Sequence, residues 1–202
     1  MGAAAATPAA PPKPTGFGAK ATLDEYLQVQ DPGEVVACIK SWEGSAAVLD
    51  EFLDILLNKL VDCGESQRVL LLDLIPHLGR GVTPTVTAEH AFGRMFSVLD
   101  DVLIDAPLAD THLAAAAARS MATGVCTCAI FAQPTFAAVP KKEEWLCRVV
   151  AAAVGHTPDA AFLGAFAAQL KAIWPQVQPL VGDAAAAALI PKLQAALPEL
   201  AL

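Results

Sequence analysis

Apolar residues recur at intervals of three and four along most of this 202-residue chain, and that spacing constrains its fold more than any other feature. The clearest run lies in residues 49–60, and a second lies in residues 162–174. Such spacing places apolar side chains along one face of an α-helix. The alternation typical of strands is nearly absent, and Pro84 interrupts residues 82–87. The sequence therefore predicts an all-α protein.

Residues that favour helix starts divide the chain into segments. Thr22, Asp31, Ser45 and Thr87 stand where a side-chain oxygen can cap a helix, and Pro32 suits a first helical turn. Thr22 also opens a capping-box pattern. The last predicted helix, from Asp183, is expected to kink at Pro191. The predicted helices span about 22–29, 32–42, 45–64, 65–78, 87–105 and 107–122, with three more between Pro140 and the end of the chain.

Helices of this length joined by short loops favour antiparallel pairs that stack into an α-solenoid of HEAT type. No strict sequence repeat accompanies this pattern, so the stacking is inferred from helix lengths. Residues 1–20 are rich in alanine, proline and glycine. This composition buries too little apolar surface to fold, so residues 1–20 are expected to be a disordered leader or linker.

A cluster of carboxylates occupies residues 100–105, just before Pro107. With about 100° of rotation per residue, Asp101 falls opposite the apolar stripe that includes Leu103, and Asp105 follows one turn later on the outer side. Ordinary solvation of charged residues also accounts for this placement. Asp105 is in addition a candidate cap for the next helix, whose apolar periodicity resumes at Leu108. The residues alone therefore indicate a rigid acidic projection.

The net charge of −8, from 13 basic and 21 acidic residues, is unevenly distributed. Residues 1–140 carry 8 basic and 16 acidic residues, whereas residues 141–202 carry 5 of each. Direct nucleic-acid binding is disfavoured because phosphate contacts depend on lysine and arginine. An acidic body instead favours a basic protein partner.

No metal, cofactor or catalytic pattern is recognisable. The five cysteines form no CxxC pair, and the four histidines are scattered. We therefore expect reduced thiols in a cytosolic or nuclear protein, with no metal or cofactor. No secretory signal is recognisable, and every apolar stretch is broken before the ~20 residues that a membrane span needs.

Two motifs resemble the MA3 domain family, the helicase-binding modules of translation initiation factor 4G scaffolds and of the programmed-cell-death-four tumour suppressor. Residues 24–27 (DEYL), followed by Asp31 and by residues 34–39, resemble the family's opening pattern "EYL…D…EA…C(I/L)". Residues 99–107 (LDDVLIDAP) resemble its more specific signature "LDDL.LD.P". The resemblance covers roughly residues 21–138, which are taken as an MA3-like helical domain.

The resemblance implies a non-enzymatic module that binds the DEAD-box RNA helicase of translation initiation, initiation factor 4A, and modulates its activity. It implies Asp101 and Asp105 as the partner-contacting carboxylates, with Asp100 and Pro107 beside them. A carboxylate pair at an outer corner suits arginine recognition but lacks the histidine, nucleophile or phosphate loop of an enzyme. A cytoplasmic, monomeric protein is expected.

Two alternatives remain open at this stage. MA3 modules also occur in spliceosomal and nucleolar proteins, which would place the chain in the nucleus with a different partner. A generic α-solenoid scaffold is the other alternative. Residues 41–44 lack the proline and histidine common in the tumour-suppressor branch, which favours the scaffold branch.

Residues 139–202 carry no motif of the family. Their three apolar stripes, anchored by Trp145, Phe166 and Trp174, predict a helical extension packed on the end of the solenoid. An independent small helical domain tethered after Pro140 is the alternative.

Overall fold

The computed structural model describes residues 18–42, 46–79, 82–156 and 159–200. Within these ranges the chain forms nine α-helices and three short 3₁₀ helices, and no strand. The all-α prediction is therefore confirmed. Residues 1–17 of the predicted leader and the predicted cap at Ser45 lie outside the described residues. The sequence predicts a leader that extends to residue 20, but Ala19 and Lys20 belong to the first helix. The α-helices are α1 Ala19–Val29, α2 Pro32–Ser41, α3 Ala46–Asp62, α4 Glu65–Leu74, α5 Thr85–Asp105, α6 Ala109–Thr123, α7 Lys142–His156, α8 Ala160–Val181 and α9 Asp183–Ala196.

One of the predicted N-terminal caps is confirmed. The Asp31 carboxylate accepts a hydrogen bond from the Gly33 backbone N–H at 2.8 Å, and Pro32 is the first residue of α2. Proline fits there because its missing N–H would have no partner inside the helix. Asp159 plays the same part for α8 by accepting from the Ala161 backbone N–H at 3.0 Å.

The predicted caps at Thr22 and Thr87 are wrong. Helix α1 begins three residues before Thr22, at Ala19, and Thr22 is only 3% exposed inside it. The Thr22 hydroxyl donates back to the Gly18 carbonyl instead of capping the helix. The helix begins earlier than predicted because the neighbouring Ala19 and Leu23 are buried. Helix α5 likewise begins at Thr85, two residues before Thr87.

Proline shortens one predicted helix and lies inside others. The predicted helix 65–78 stops being α-helical at Leu74, and Ile75–Leu78 form a 3₁₀ turn that contains Pro76. Proline lacks the N–H that an α-helical turn would need, so a short 3₁₀ turn accommodates it. Pro191 lies inside α9, so the helix continues past this proline, and the kink expected there stays a prediction.

Helices that are near one another in the sequence pack together, as in a HEAT-like solenoid. Helix α3 is central and contacts α1, α5 and α6, while α6 makes its most extensive contact with α7. Helix α9 packs on α7, and α8 packs on the 3₁₀ helix Cys128–Ala132. One contiguous apolar core runs through all of these elements.

An aromatic cluster joins α5 to α7 at the middle of this core. The Trp145 ring lies 5.2 Å from Phe96, 6.0 Å from Phe131 and 5.9 Å from Phe136, measured between ring centroids. Edge-to-face and tilted arrangements of this kind are the favourable ones for aromatic rings. Because Trp145 is 1% exposed, α7 contributes directly to the core that holds α5 in place.

Helices α3 and α5 are also joined at the surface by an ion-pair clamp. The Arg94 guanidinium lies 3.1 Å from one Asp50 carboxylate oxygen and 2.9 Å from one of Asp54. Burial by itself lowers the pKa of Arg94, but the hydrogen bonds and negative charges of Asp54 and Asp50 together outweigh it and raise the pKa above its ordinary value. None of the helices in the described ranges combines the length and the apolar character needed to cross a membrane.

Candidate docking surface

Helix α5 holds the acidic segment because its opposite face is buried. Phe92, Met95, Phe96 and Leu99 are all buried in the core, whereas Asp101 is exposed on the other side. The rotation per residue around the helix accounts for this placement, as the sequence predicts. Leu103, which the same spacing assigned to the buried stripe, is only half-buried near the end of the helix.

We call Asp100, Asp101, Asp105 and Pro107 the acidic corner, because they surround the turn from α5 to α6. All four residues are exposed. In the part of the chain that the structure describes, no hydrogen bond or ion pair engages the three carboxylates. The carboxylates therefore face solvent with their hydrogen-bonding capacity available.

Asp105 does not cap the next helix, so that prediction is wrong. Asp105 is the last residue of α5, and α6 begins only at Ala109, with Leu108 at the N-cap position and no side-chain cap. Residues 106–108 lie between Asp105 and the first residue of α6, whereas a capping side chain belongs to the residue directly before the helix. The turn is closed by the backbone instead: the Ala106 N–H donates to Val102 and the Ala109 N–H donates to Ala106.

Helix α7 supports the acidic corner from behind through Asp110, in the first turn of α6. The Trp145 indole N–H donates to the Asp110 carbonyl at 2.9 Å, and the Arg148 guanidinium pairs with the Asp110 carboxylate. Sequence reasoning missed this contact, because 35 and 38 residues separate the partners and no local pattern links them. The acidic corner is therefore fixed on two sides, by the core under α5 and by α7 behind α6.

Two aliphatic side chains beside the acidic corner were also missed. Ile104 is 77% exposed and Leu108 is 63% exposed. The sequence predicts that Leu108 begins the buried stripe of the next helix. It does not, because it precedes the first helical turn of α6. The exposure of Ile104 could have been predicted from the sequence, because the helical rotation places it away from the apolar stripe of α5.

The rest of the described chain offers little reactive chemistry. No three histidine, cysteine or acidic side chains within it are grouped so that they could hold a metal ion. Burial raises the pKa of Cys128 to about 12, and it also raises the pKa of Cys126 well above its ordinary value. Because the thiolate is the reactive and metal-binding form, these two thiols are structural.

Comparison with known families agrees with this geometry. A family model described as the MA3 domain matches residues 18–127, which is more than half of the 202 residues. The chain belongs to the MA3 domain family. The match includes α1 to α6 and the whole acidic corner, and it ends before the 3₁₀ helix Cys128–Ala132.

MA3 domains are helical protein–protein interaction modules of proteins in translation and RNA metabolism, and the family is not an enzyme family. Neither the curated proteins nor the solved structures compared with this chain include a significant match. The acidic corner is therefore an exposed surface on a protein-interaction module, with a surrounding fold that holds it rigid.

Proposed function

We propose that this protein docks on the DEAD-box RNA helicase of translation initiation, initiation factor 4A, through its acidic corner, and modulates that helicase. The observation that carries the proposal is the set of exposed carboxylates at the turn from α5 to α6, with no ion pair to any described residue. They match the positions that the family signature assigns to partner contact. Cytoplasmic action as a monomer is part of this proposal.

The chemistry of the corner favours an arginine-bearing partner. Asp101 and Asp105 are two carboxylates one helical turn apart, and a carboxylate can accept paired hydrogen bonds from a guanidinium group. Their support by α5 and α7 limits the conformational entropy that is lost on binding. The net charge of −8 adds long-range attraction to a basic surface and repels nucleic acid.

The direct test is titration of the purified chain with recombinant initiation factor 4A. Asp101→Asn and Asp105→Asn keep the side-chain shape and remove one charge each, and each should weaken binding by ~2–5 kcal/mol if the carboxylates pair with buried cations. Asp24 is also an exposed aspartate and lies on α1, so Asp24→Asn is the matched control and should bind within about twofold of the unchanged protein.

Two further measurements make the test selective. Association should slow as salt rises, while dissociation changes less, because the charges act mainly on encounter. A splicing-type DEAD-box helicase titrated in parallel separates the initiation partner from an RNA-processing one. Unchanged isotherms for the Asp101→Asn, Asp105→Asn double variant would remove the acidic corner as the docking surface.

A further inference from the structure

The two most exposed large apolar side chains among the described residues are Ile104 and Leu108, and both lie at the acidic corner. A third exposed aliphatic residue of α5, Val98, is 43% exposed, but it lies about 120° around the helix from Ile104. Aliphatic side chains are normally the ones a fold buries first. Ile104 and Leu108 therefore set the turn from α5 to α6 apart from the other described residues, whose exposed large apolar side chains are valines that are at most 57% exposed.

Helix geometry places Ile104 among the carboxylates. Residues three and four apart on a helix are lateral neighbours, so Ile104 lies next to Asp101 and Asp100, and Asp105 follows it directly in the chain. Leu108 lies across the turn at the N-cap position of α6. Neither Ile104 nor Leu108 is among the residues that pack on the core, although Leu103 and Val102 are.

We infer that Ile104 and Leu108 form an apolar pair that inserts into an apolar depression on the partner, with the partner's guanidinium groups around its rim. This inference rests on the proposed function and deepens it by naming the second half of the contact. The carboxylates would fix register and speed encounter, while the apolar pair would slow dissociation. Interfaces commonly combine a desolvated apolar centre with charged groups at the rim.

Charge complementarity selects this occupant over two others. A nucleic acid would bring phosphates against three carboxylates and meets no cation among the residues of the corner. A second copy of the chain, related by a two-fold axis, would set the same carboxylates against each other. A basic protein face with an apolar centre satisfies both kinds of side chain at once.

The experiment measures the association and dissociation rates of initiation factor 4A on the 202-residue chain at low and high salt. The variants are Ile104→Ser and Leu108→Ser, and the matched control is Val86→Ser. Val86 is 54% exposed and lies on α5 as well, about 27 Å from Ile104 along the helix axis. Circular dichroism melting of each variant confirms folding, and serine is a favourable residue at the N-cap position that Leu108 occupies.

The expected result is a roughly tenfold or greater faster dissociation for Ile104→Ser and for Leu108→Ser, of similar size at both salt concentrations. The effect of Asp101→Asn should instead shrink at high salt, because screening weakens charge pairs and leaves apolar contacts intact. Val86→Ser should stay within about twofold of the unchanged protein.

Three outcomes would overturn the inference. If Asp101→Asn weakens binding while Ile104→Ser and Leu108→Ser do not, the apolar pair has no part and the proposed function stands. If the unchanged chain does not bind initiation factor 4A, the proposed function fails and the inference fails with it. If sedimentation shows a dimer that Ile104→Ser converts to monomer, a second copy covers the apolar pair.

Discussion

Replacing Trp145 with alanine should destabilise the whole MA3 domain, although Trp145 lies outside the family match. The side chain is 1% exposed, and its ring contacts Phe96, Phe131 and Phe136. Truncating a buried tryptophan costs about 3–5 kcal/mol. Losing the hydrogen bond to the Asp110 carbonyl adds about 1 kcal/mol. The sum is a large part of the roughly 5–15 kcal/mol that stabilises a typical domain.

The assay is urea unfolding followed by far-ultraviolet circular dichroism, since the three tryptophans make fluorescence ambiguous. Trp145→Phe keeps an aromatic ring but not the N–H donor, so it should cost only about 1–3 kcal/mol. Trp42→Ala is the matched control, because Trp42 is only half-buried against Phe52, and it should cost less than Trp145→Ala.

A Trp145→Ala variant within about 1 kcal/mol of the unchanged protein would refute this reasoning. It would show that residues 142–200 form a separate unit that merely touches α5 and α6. Two transitions in the unfolding curve of the unchanged protein would point the same way. A single transition that shifts as a whole would instead support the predicted packing of residues 139–202 on the solenoid.

Three further outcomes follow from the local geometry. Gly79→Ala should destabilise the fold by about 1–3 kcal/mol in urea unfolding, because a Cβ there would lie 2.4 Å from the Thr123 carbonyl oxygen. Gly164→Ala, inside α8 and with open space around it, should instead stabilise by up to about 1 kcal/mol, and equal shifts for both glycines would contradict the argument. Burial lowers the pKa of His112 below its ordinary value of 6.5. As the pH falls through 6.5, the unfolded chain therefore binds the proton more readily than the folded chain does, and the free energy of unfolding decreases. His112→Gln should therefore lose less stability between about pH 7.5 and about pH 5.5, whereas the exposed His90→Gln should follow the unchanged protein.

The features that the sequence predicted correctly are those that depend on neighbours along one helix. The spacing of Leu99 and Asp101 predicts which of them is buried, because the rotation per residue belongs to the helix itself. The cap at Asp31 depends only on Gly33, two residues away. The family signature is local in the same sense, since it occupies one helix end and the turn that follows.

The features that the sequence could not predict depend on which surfaces meet in the folded chain. Thr22 has the pattern of a cap but is buried, because α1 is extended by packing that no local pattern records. Leu108 continues an apolar periodicity but is exposed, because α6 begins one residue later.

The amino-acid sequence by itself determined that this protein is all-α, that it carries an MA3 signature and that Asp101 faces outward. Only the tertiary structure decided what holds Asp101 and Asp105 in place and what surrounds them. Trp145 and Arg148 reach Asp110 across 35 and 38 residues, and Ile104 stays exposed because none of the described helices covers it. Helical periodicity arises from backbone hydrogen bonds four residues apart, whereas these contacts arise from burial of apolar surface, which couples residues regardless of their separation.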